Sequence, residues 1–221
     1  MTQEWIREKI KEAHENAIEK GFYDCPDCKG DCNIPIIKDG FIIDYERCDC
    51  NDTETPGINQ NKNIGELLML IVSELGEALE AHRTGYFACG IESIKDIPDG
   101  ELNYTKFYVK NIKDTFEDEL ACVFIRIFDL CGYLKIDIAP YVNISYPSTV
   151  DKNVGQALFF VTAELTEFYR KKDSASGIFS LNGALSRLLN MCHKSHMNIP
   201  IEKHIEARLK YDKFNKENEG N

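Results

Sequence analysis

The chain has 221 residues, enough for one domain with an insert or for two small ones. Lys+Arg total 26 and Asp+Glu 37, giving a net charge of −11. That balance argues against a duplex-binding protein and against an anionic membrane surface as partner. A hydrophobic fraction of 43% supplies a core, and no apolar run approaches the roughly 20 residues of a membrane helix. An acidic chain still handles polyphosphates if its carboxylates hold a divalent cation between protein and substrate. The opening MTQEWIREKIKEAHENA is charged and lacks the apolar stretch of a signal peptide, so the cytoplasm is the expected location.

Residues 3–20 read as a helix, with Trp5, Ile6, Ile10, Ala13, Ala17 and Ile18 at helical spacing and Gly21 as its stop. Residues 24–52 differ in kind. Two β-rich runs, Ile34–Ile37 and Phe41–Tyr45, flank Asp39-Gly40, a two-residue hairpin signal. Residues 51–63, with Pro56 and Gly57, read as a linker. A strong helix is predicted over 63–85, an irregular stretch over 86–112, and a second strong helix over 114–133. Pro140 and Pro147 mark a break, and helices follow near 152–171, 178–195 and 200–217, the last ending in a polar tail.

Five of the nine cysteines (Cys25, Cys28, Cys32, Cys48, Cys50) cluster in 24–52. Clustering without a secretion signal favours metal over disulfides. Cys25-x-x-Cys28 and Cys48-x-Cys50 bracket the predicted hairpin, and two close pairs at the ends of a hairpin deliver the four thiolates of a tetrahedral, structural Zn²⁺ site. The insert resembles small zinc ribbons. Cys32 is a fifth thiol able to replace one ligand, and reduced structural cysteines are the bland alternative. No βαβ pattern supports a redox Cys-x-x-Cys.

A weak internal repeat relates 63–140 to 153–215. Asn63-Ile-Gly-Glu-Leu-Leu echoes Asn153-Val-Gly-Gln-Ala-Leu, and both runs carry Glu-x-x-Glu, at Glu74/Glu77 and Glu164/Glu167. Asp129-Leu-Cys likewise echoes Asn190-Met-Cys. The expected architecture is an all-α bundle, a single-chain pseudo-dimer of helical pairs over 1–221, with the 24–52 hairpin inserted.

On a helical projection Glu74 falls among Leu67, Leu70, Ala78 and Ala81, and Glu119 among Phe116, Val123, Ile127 and Leu130. Glu77 sits at the stripe's edge. Burying an unpaired carboxylate costs several kcal/mol, so such groups are paired or hold a metal. Two readings stay open at this point: a hard-cation site, or salt bridges to Arg126 or Arg83.

The runs GELLMLIVSELGEALEAHRTG (65–85) and KDTFEDELACVFIRIFDLCGYLKID (113–137) resemble the MazG-like all-α nucleoside triphosphate pyrophosphohydrolases, relatives of dimeric dUTPases and phosphoribosyl-ATP pyrophosphohydrolase. AHENAIEKGFYD (13–24) and IEKHIEARLKYD (201–212) resemble the first and last helices of phage-type members. The resemblance implies Glu-x-x-Glu on one helix and Glu-x-x-Asp on the next, binding Mg²⁺ or Mn²⁺. Glu74 and Glu77 match the first motif, and Glu119 opens the second; these three are the implied catalytic ligands. The Asp position holds Cys122, a poor Mg²⁺ ligand. Asp118, one turn earlier, is the candidate replacement, and Asp129 lies two turns beyond. Arg208, Tyr211 and Asp212 stand where the family binds substrate through a Lys and a Tyr-Asn. The implied reaction is hydrolysis between the α and β phosphates of a (d)NTP, giving (d)NMP and pyrophosphate. Dimers or tetramers are common in the family, whereas a pseudo-dimer could stand as a monomer.

Glu164 and Glu167 lack a second-motif partner, because Ser180 and Gly183 stand where acids are needed, and read as vestigial or solvated. His193, His196 and His204 read as surface residues, Cys89, Cys131 and Cys192 as buried small groups, and Phe124, Phe128, Phe159 and Phe160 as core. Two rival functions remain: a degenerate nucleotide- or partner-binding protein using the ribbon as an interaction module, and a zinc-ribbon adaptor for single-stranded nucleic acid, which the charge disfavours.

Overall fold

The computed structural model describes residues 1–38, 41–52, 57–59, 61–97, 100–142, 153–194 and 197–215, without the side chains of 41, 43, 51, 52 and 194. The expected turn at Asp39-Gly40, the break at Pro147, Pro56 of the linker, His196 and the last part of the polar tail lie outside them. The described chain is mostly helical, with one two-stranded antiparallel sheet. Its α-helices are α1 (Gln3–Glu19), α2 (Ile64–Thr84), α3 (Glu101–Asn111), α4 (Phe116–Tyr133), α5 (Val154–Lys171), α6 (Ala175–Lys194) and α7 (Ile201–Asn215). No described helix is long and apolar enough to cross a membrane.

The chain divides into two compact units, residues 1–14 with 64–221, and residues 15–63. The smaller takes in, besides 24–52, the end of α1 and the whole 51–63 linker. Within it, β1 (Asn33–Lys38) pairs with β2 (Phe41–Arg47), Asn33 opposite Arg47, with an irregularity between Ile36 and Ile37. Linker residues join this unit: the Cys25 N–H donates to the Gly57 carbonyl at 2.7 Å, and Asp24 bridges to Ile58. Gly57 has φ +82°, and a Cβ there would meet the Gly30 carbonyl oxygen at 2.6 Å, so only glycine closes this loop.

In the larger unit α4 is central. It buries Phe116, Leu120, Phe124, Ile127, Phe128 and Leu130, a helix apolar on most sides and covered on most sides. α2 and α7 pack on it, and α5 packs on α6 and on α2. From α1, Trp5 meets Phe128 edge-on at 6.4 Å, and His14 Nδ1 lies 2.8 Å from Asp129 Oδ1. The stretch 86–112, expected to be irregular, contains α3 and a 3-10 turn over Ile91–Asp96. Gly90, Pro98 and Gly100 disguise it, yet Tyr104 and Tyr108, one turn apart, give α3 a buried face against α7.

Three further expectations are corrected. Cys89 is exposed, because it lies on the connection after α2 and not on a helix face. His204 is buried at 2% exposure between its helical neighbours, and burial pulls its imidazole down to about 4. Phe159 is 67% exposed, since the buried stripe of α5 runs through Ala157, Leu158, Val161, Leu165 and Phe168.

Candidate active site and thiol cluster

α2 carries Glu74 toward α4. Thr115 caps α4, its hydroxyl accepting from the Asp118 N–H, and Glu117, Asp118 and Glu119 fill the first turn, where the helix dipole favours negative charge. The packing of α2 on α4 brings together one oxygen of Glu74, one of Glu119 and the Cys122 sulfur, all within 4.8 Å of one another. Glu119 is 5% exposed, and its carboxylate makes no hydrogen bond or ion pair with any described residue. Burial, then the charges of Asp118, Glu74 and Glu77, push its carboxyl up to about 8. Burial likewise pushes the Cys122 thiol well above its ordinary value.

Glu74 is paired: Arg126 Nε donates to its Oε1 at 3.2 Å. Arg83 pairs instead with Glu80 at 3.0 Å. Glu77 is exposed and outside the 4.8 Å cluster, with the Ser73 hydroxyl donating to it at 3.4 Å. Asp118 belongs to a second acidic set with Asp114 and Glu119, but its oxygens are already engaged. The Tyr108 hydroxyl donates to Oδ1, while the Asp114 N–H (2.9 Å) and Arg208 Nη1 (3.1 Å) donate to Oδ2. The fully buried Asp118 is therefore a tie between α3, α4 and α7 and an orienter of Arg208, a poor position for a fourth cation ligand. Asp129 is engaged by His14, on another part of α4.

Arg208 also lies 3.3 Å from Asp212, one turn on. Tyr211 is 5% exposed and stacks on Tyr108, centroids 4.4 Å apart at 13°. Of the three residues expected to bind substrate, Tyr211 is thus committed to a stack and Asp212 to the arginine. Tyr108 was not foreseen; its trace in the sequence is the Tyr104/Tyr108 spacing just before the acidic start of α4.

In the second helical pair the corresponding position is closed. Arg187 Nε donates to Glu164 Oε1 at 3.3 Å, and a Cβ on Gly183 would meet the Glu164 carboxylate carbon at 2.9 Å. Glu167 faces Arg170 and Lys171 in half-exposed ion pairs.

In the smaller unit the sulfurs of Cys25, Cys28, Cys48 and Cys50 lie within 4.8 Å of one another, and Cys32 is not among them. The Cys25 and Cys48 sulfurs are 3.8 Å apart, those of Cys28 and Cys50 3.4 Å. Backbone N–H groups of Cys28 and Asp27 point at the Cys25 sulfur and pull that thiol down to about 7. Burial and the neighbouring thiols push Cys50 up. Four convergent sulfurs, one already favoured as thiolate, fit a tetrahedral Zn²⁺ and could hold it. The acids of α2 and α4 could hold a divalent cation such as Mg²⁺.

No family model, curated protein or solved structure matches the chain.

Proposed function

We propose that the protein is a divalent-cation-dependent nucleoside triphosphate pyrophosphohydrolase of the MazG-like all-α type, splitting a (d)NTP into (d)NMP and pyrophosphate. One observation carries the reading. Glu74 and Glu119, the acids that the resemblance assigns to successive metal motifs, converge from α2 and α4, and Glu119 has no hydrogen-bond or ion-pair partner among the described residues. A divalent cation bound there would neutralise phosphate charge and acidify an attacking water. Glu74 and Glu119 offer the oxygen ligands. A carboxylate at or near Glu77, which is one turn from Glu74 and open to solvent, is read as the group that accepts the water's proton. Arg208, aimed by Asp118 and Asp212, offers positive charge to the phosphates, and the Tyr108–Tyr211 stack fixes its helix. The second helical pair is read as a degenerate copy that completes a pseudo-dimer, and Zn²⁺ at the four cysteines as a brace for the smaller unit. The reading implies a cytoplasmic enzyme that acts on free nucleotides, with association into dimers or tetramers as in the family.

Cys122 favours a second reading. A buried thiol in place of the family's Asp is what a chain that keeps the fold and loses turnover would carry, leaving a nucleotide- or partner-binding protein. Pyrophosphate release from a panel of dNTPs and NTPs, with Mg²⁺ or Mn²⁺ and with chelator, separates the two. The expected result is metal-dependent release from one or two nucleotides, lost in Glu74→Ala. No release from any of them by folded, zinc-loaded protein would leave the binding reading.

A further inference from the structure

Three facts about the α2–α4 cluster belong together. Its donor set is two carboxylates and one thiol, Glu74, Glu119 and Cys122. The Glu119 carboxylate is more than nine-tenths buried, aimed into the cluster, and unpartnered among the described residues. The matching place in the second pair has no thiol and is filled by a carboxylate that its own arginine satisfies. Arg126 pairs with Glu74, and Arg208 bears on Glu119 and Cys122 from α7, but neither arginine hydrogen-bonds the Glu119 carboxyl, and a buried carboxyl without a partner keeps a proton or takes a cation.

The donor set also says which cation. Mg²⁺ demands an octahedral shell of oxygens and holds water tightly. Sulfur suits ions that accept soft or borderline ligands, and affinity for mixed sites rises toward the later first-row metals. We propose that Glu74, Glu119 and Cys122 form a mixed oxygen–sulfur site that selects a borderline divalent transition cation, of the Co²⁺ or Zn²⁺ class, over Mg²⁺. The proposal rests on the preceding reading only for what the bound ion is used to do. On binding, the Cys122 thiol and the Glu119 carboxyl release their protons to solvent, and thiolate and carboxylate ligate, so no redox partner is needed. The two carboxylates would supply the other protein ligands, and the remaining positions would stay open to water or to phosphate oxygens.

The test uses full-length protein whose four-cysteine cluster is loaded with Zn²⁺ and shown to retain it. Co²⁺ and Mg²⁺ are titrated into the wild type, Cys122→Ser and Cys122→Asp, following near-ultraviolet thiolate-to-cobalt absorption and heat. The expected result is a charge-transfer band from one further Co²⁺ per chain, absent in both variants. Cys122→Asp should lower the Co²⁺-to-Mg²⁺ affinity ratio by about tenfold or more. Co²⁺ binding without a Cys122-dependent band, an unchanged ratio in Cys122→Asp, or no cation binding at all would each overturn the proposal. Pyrophosphate release is scored separately. Release supported by Mg²⁺ with no thiolate band sinks the cation assignment and spares the enzyme. A thiolate band with no release from any nucleotide does the reverse.

Discussion

The two helical pairs of the larger unit, α2 with α4 and α5 with α6, use one packing scheme for different ends. At a separation of 90 residues the burial of α2 is repeated in α5, Leu67, Leu68, Ile71 and Leu75 against Ala157, Leu158, Val161 and Leu165. Even the exposed apolar positions coincide, Met69 at 63% and Phe159 at 67%. At a separation of 61, Arg126 of α4 matches Arg187 of α6, and each reaches the glutamate of its own pair, at 3.2 and 3.3 Å. The pairs part where charge collects. Glu119 and Cys122 stand opposite Ser180 and Gly183. In α5–α6 one carboxylate meets one guanidinium over a glycine, and the account is balanced. In α2–α4 a second carboxylate and a thiol share the same place, with Arg126 on Glu74 and Arg208 of α7 nearby but not hydrogen-bonded to Glu119. An ion pair between helices is thus ordinary structure in both; the surplus acid is what distinguishes the first pair, and the proposed site rests on it.

The largest expected contrast is in turnover. Glu119→Ala should lower cation-dependent pyrophosphate release by about a hundredfold or more, the scale of losing a group from a metal site. Ser180→Ala, at the matching position of α6, should leave it within about twofold, since no ligand is removed there. Equal losses in both variants, measured as kcat/KM on the same nucleotide, would erase the distinction between the pairs.

A pH series sharpens the same contrast through stability. The Glu119 carboxyl is ordinary in the unfolded chain and about 8 when folded, so the folded state holds the proton more tightly. Stability therefore falls as pH rises from the ordinary carboxyl range through about 8, with the full penalty above it. Thermal unfolding of zinc-loaded, otherwise cation-free protein should show Glu119→Gln gaining several degrees over wild type near pH 9 and little near pH 5. Ser180 gives α6 no such slope. A gain that does not depend on pH would mean that Glu119 is not the strained acid of the cluster.

A double-mutant cycle probes the closed pair. Alanine in place of a helical glycine is worth about 1 kcal/mol, but a Cβ at Gly183 meets the Glu164 carboxylate. Gly183→Ala should be neutral or destabilising in the wild type and stabilising by about 1 kcal/mol in a Glu164→Ala background, read from denaturant unfolding. Additive effects would show that Glu164 moves aside freely and that the glycine is incidental.

Most of the scaffold was legible in the sequence because its causes are local. The apolar periodicity of α2, α4, α5, α6 and α7 placed each within a few residues, and the inward aim of Glu74 and Glu119 followed from the same projection. The four-cysteine cluster was legible from spacing alone. What escaped depends on distant partners. α3 is framed by Gly90, Pro98 and Gly100 and owes its buried tyrosines to α7, about a hundred residues on. Asp118 looked like a spare ligand, since nothing local shows that Tyr108 and Arg208 take its oxygens. His204 and Phe159 traded places with expectation because a helix's buried face is decided by its neighbours, and polarity is only a guide to it.

The smallest contrast lies in the two arginines. Each pair is partly exposed, 36% and 15% for Arg126 and Glu74, 23% and 24% for Arg187 and Glu164. Solvent screens such pairs, so Arg126→Gln and Arg187→Gln should each cost less than about 1 kcal/mol of stability. Their effect on cation binding should differ in kind. Arg126 competes with a cation for Glu74 and repels it, so Arg126→Gln should tighten cation binding severalfold by calorimetry, even if turnover falls. Arg187 stands in a pair with no surplus acid, and its loss should leave that binding unchanged. Equal tightening in both variants would mean that the gain comes from net charge alone; tightening by Arg126→Gln only would place the cation at Glu74, in direct competition with its own salt bridge.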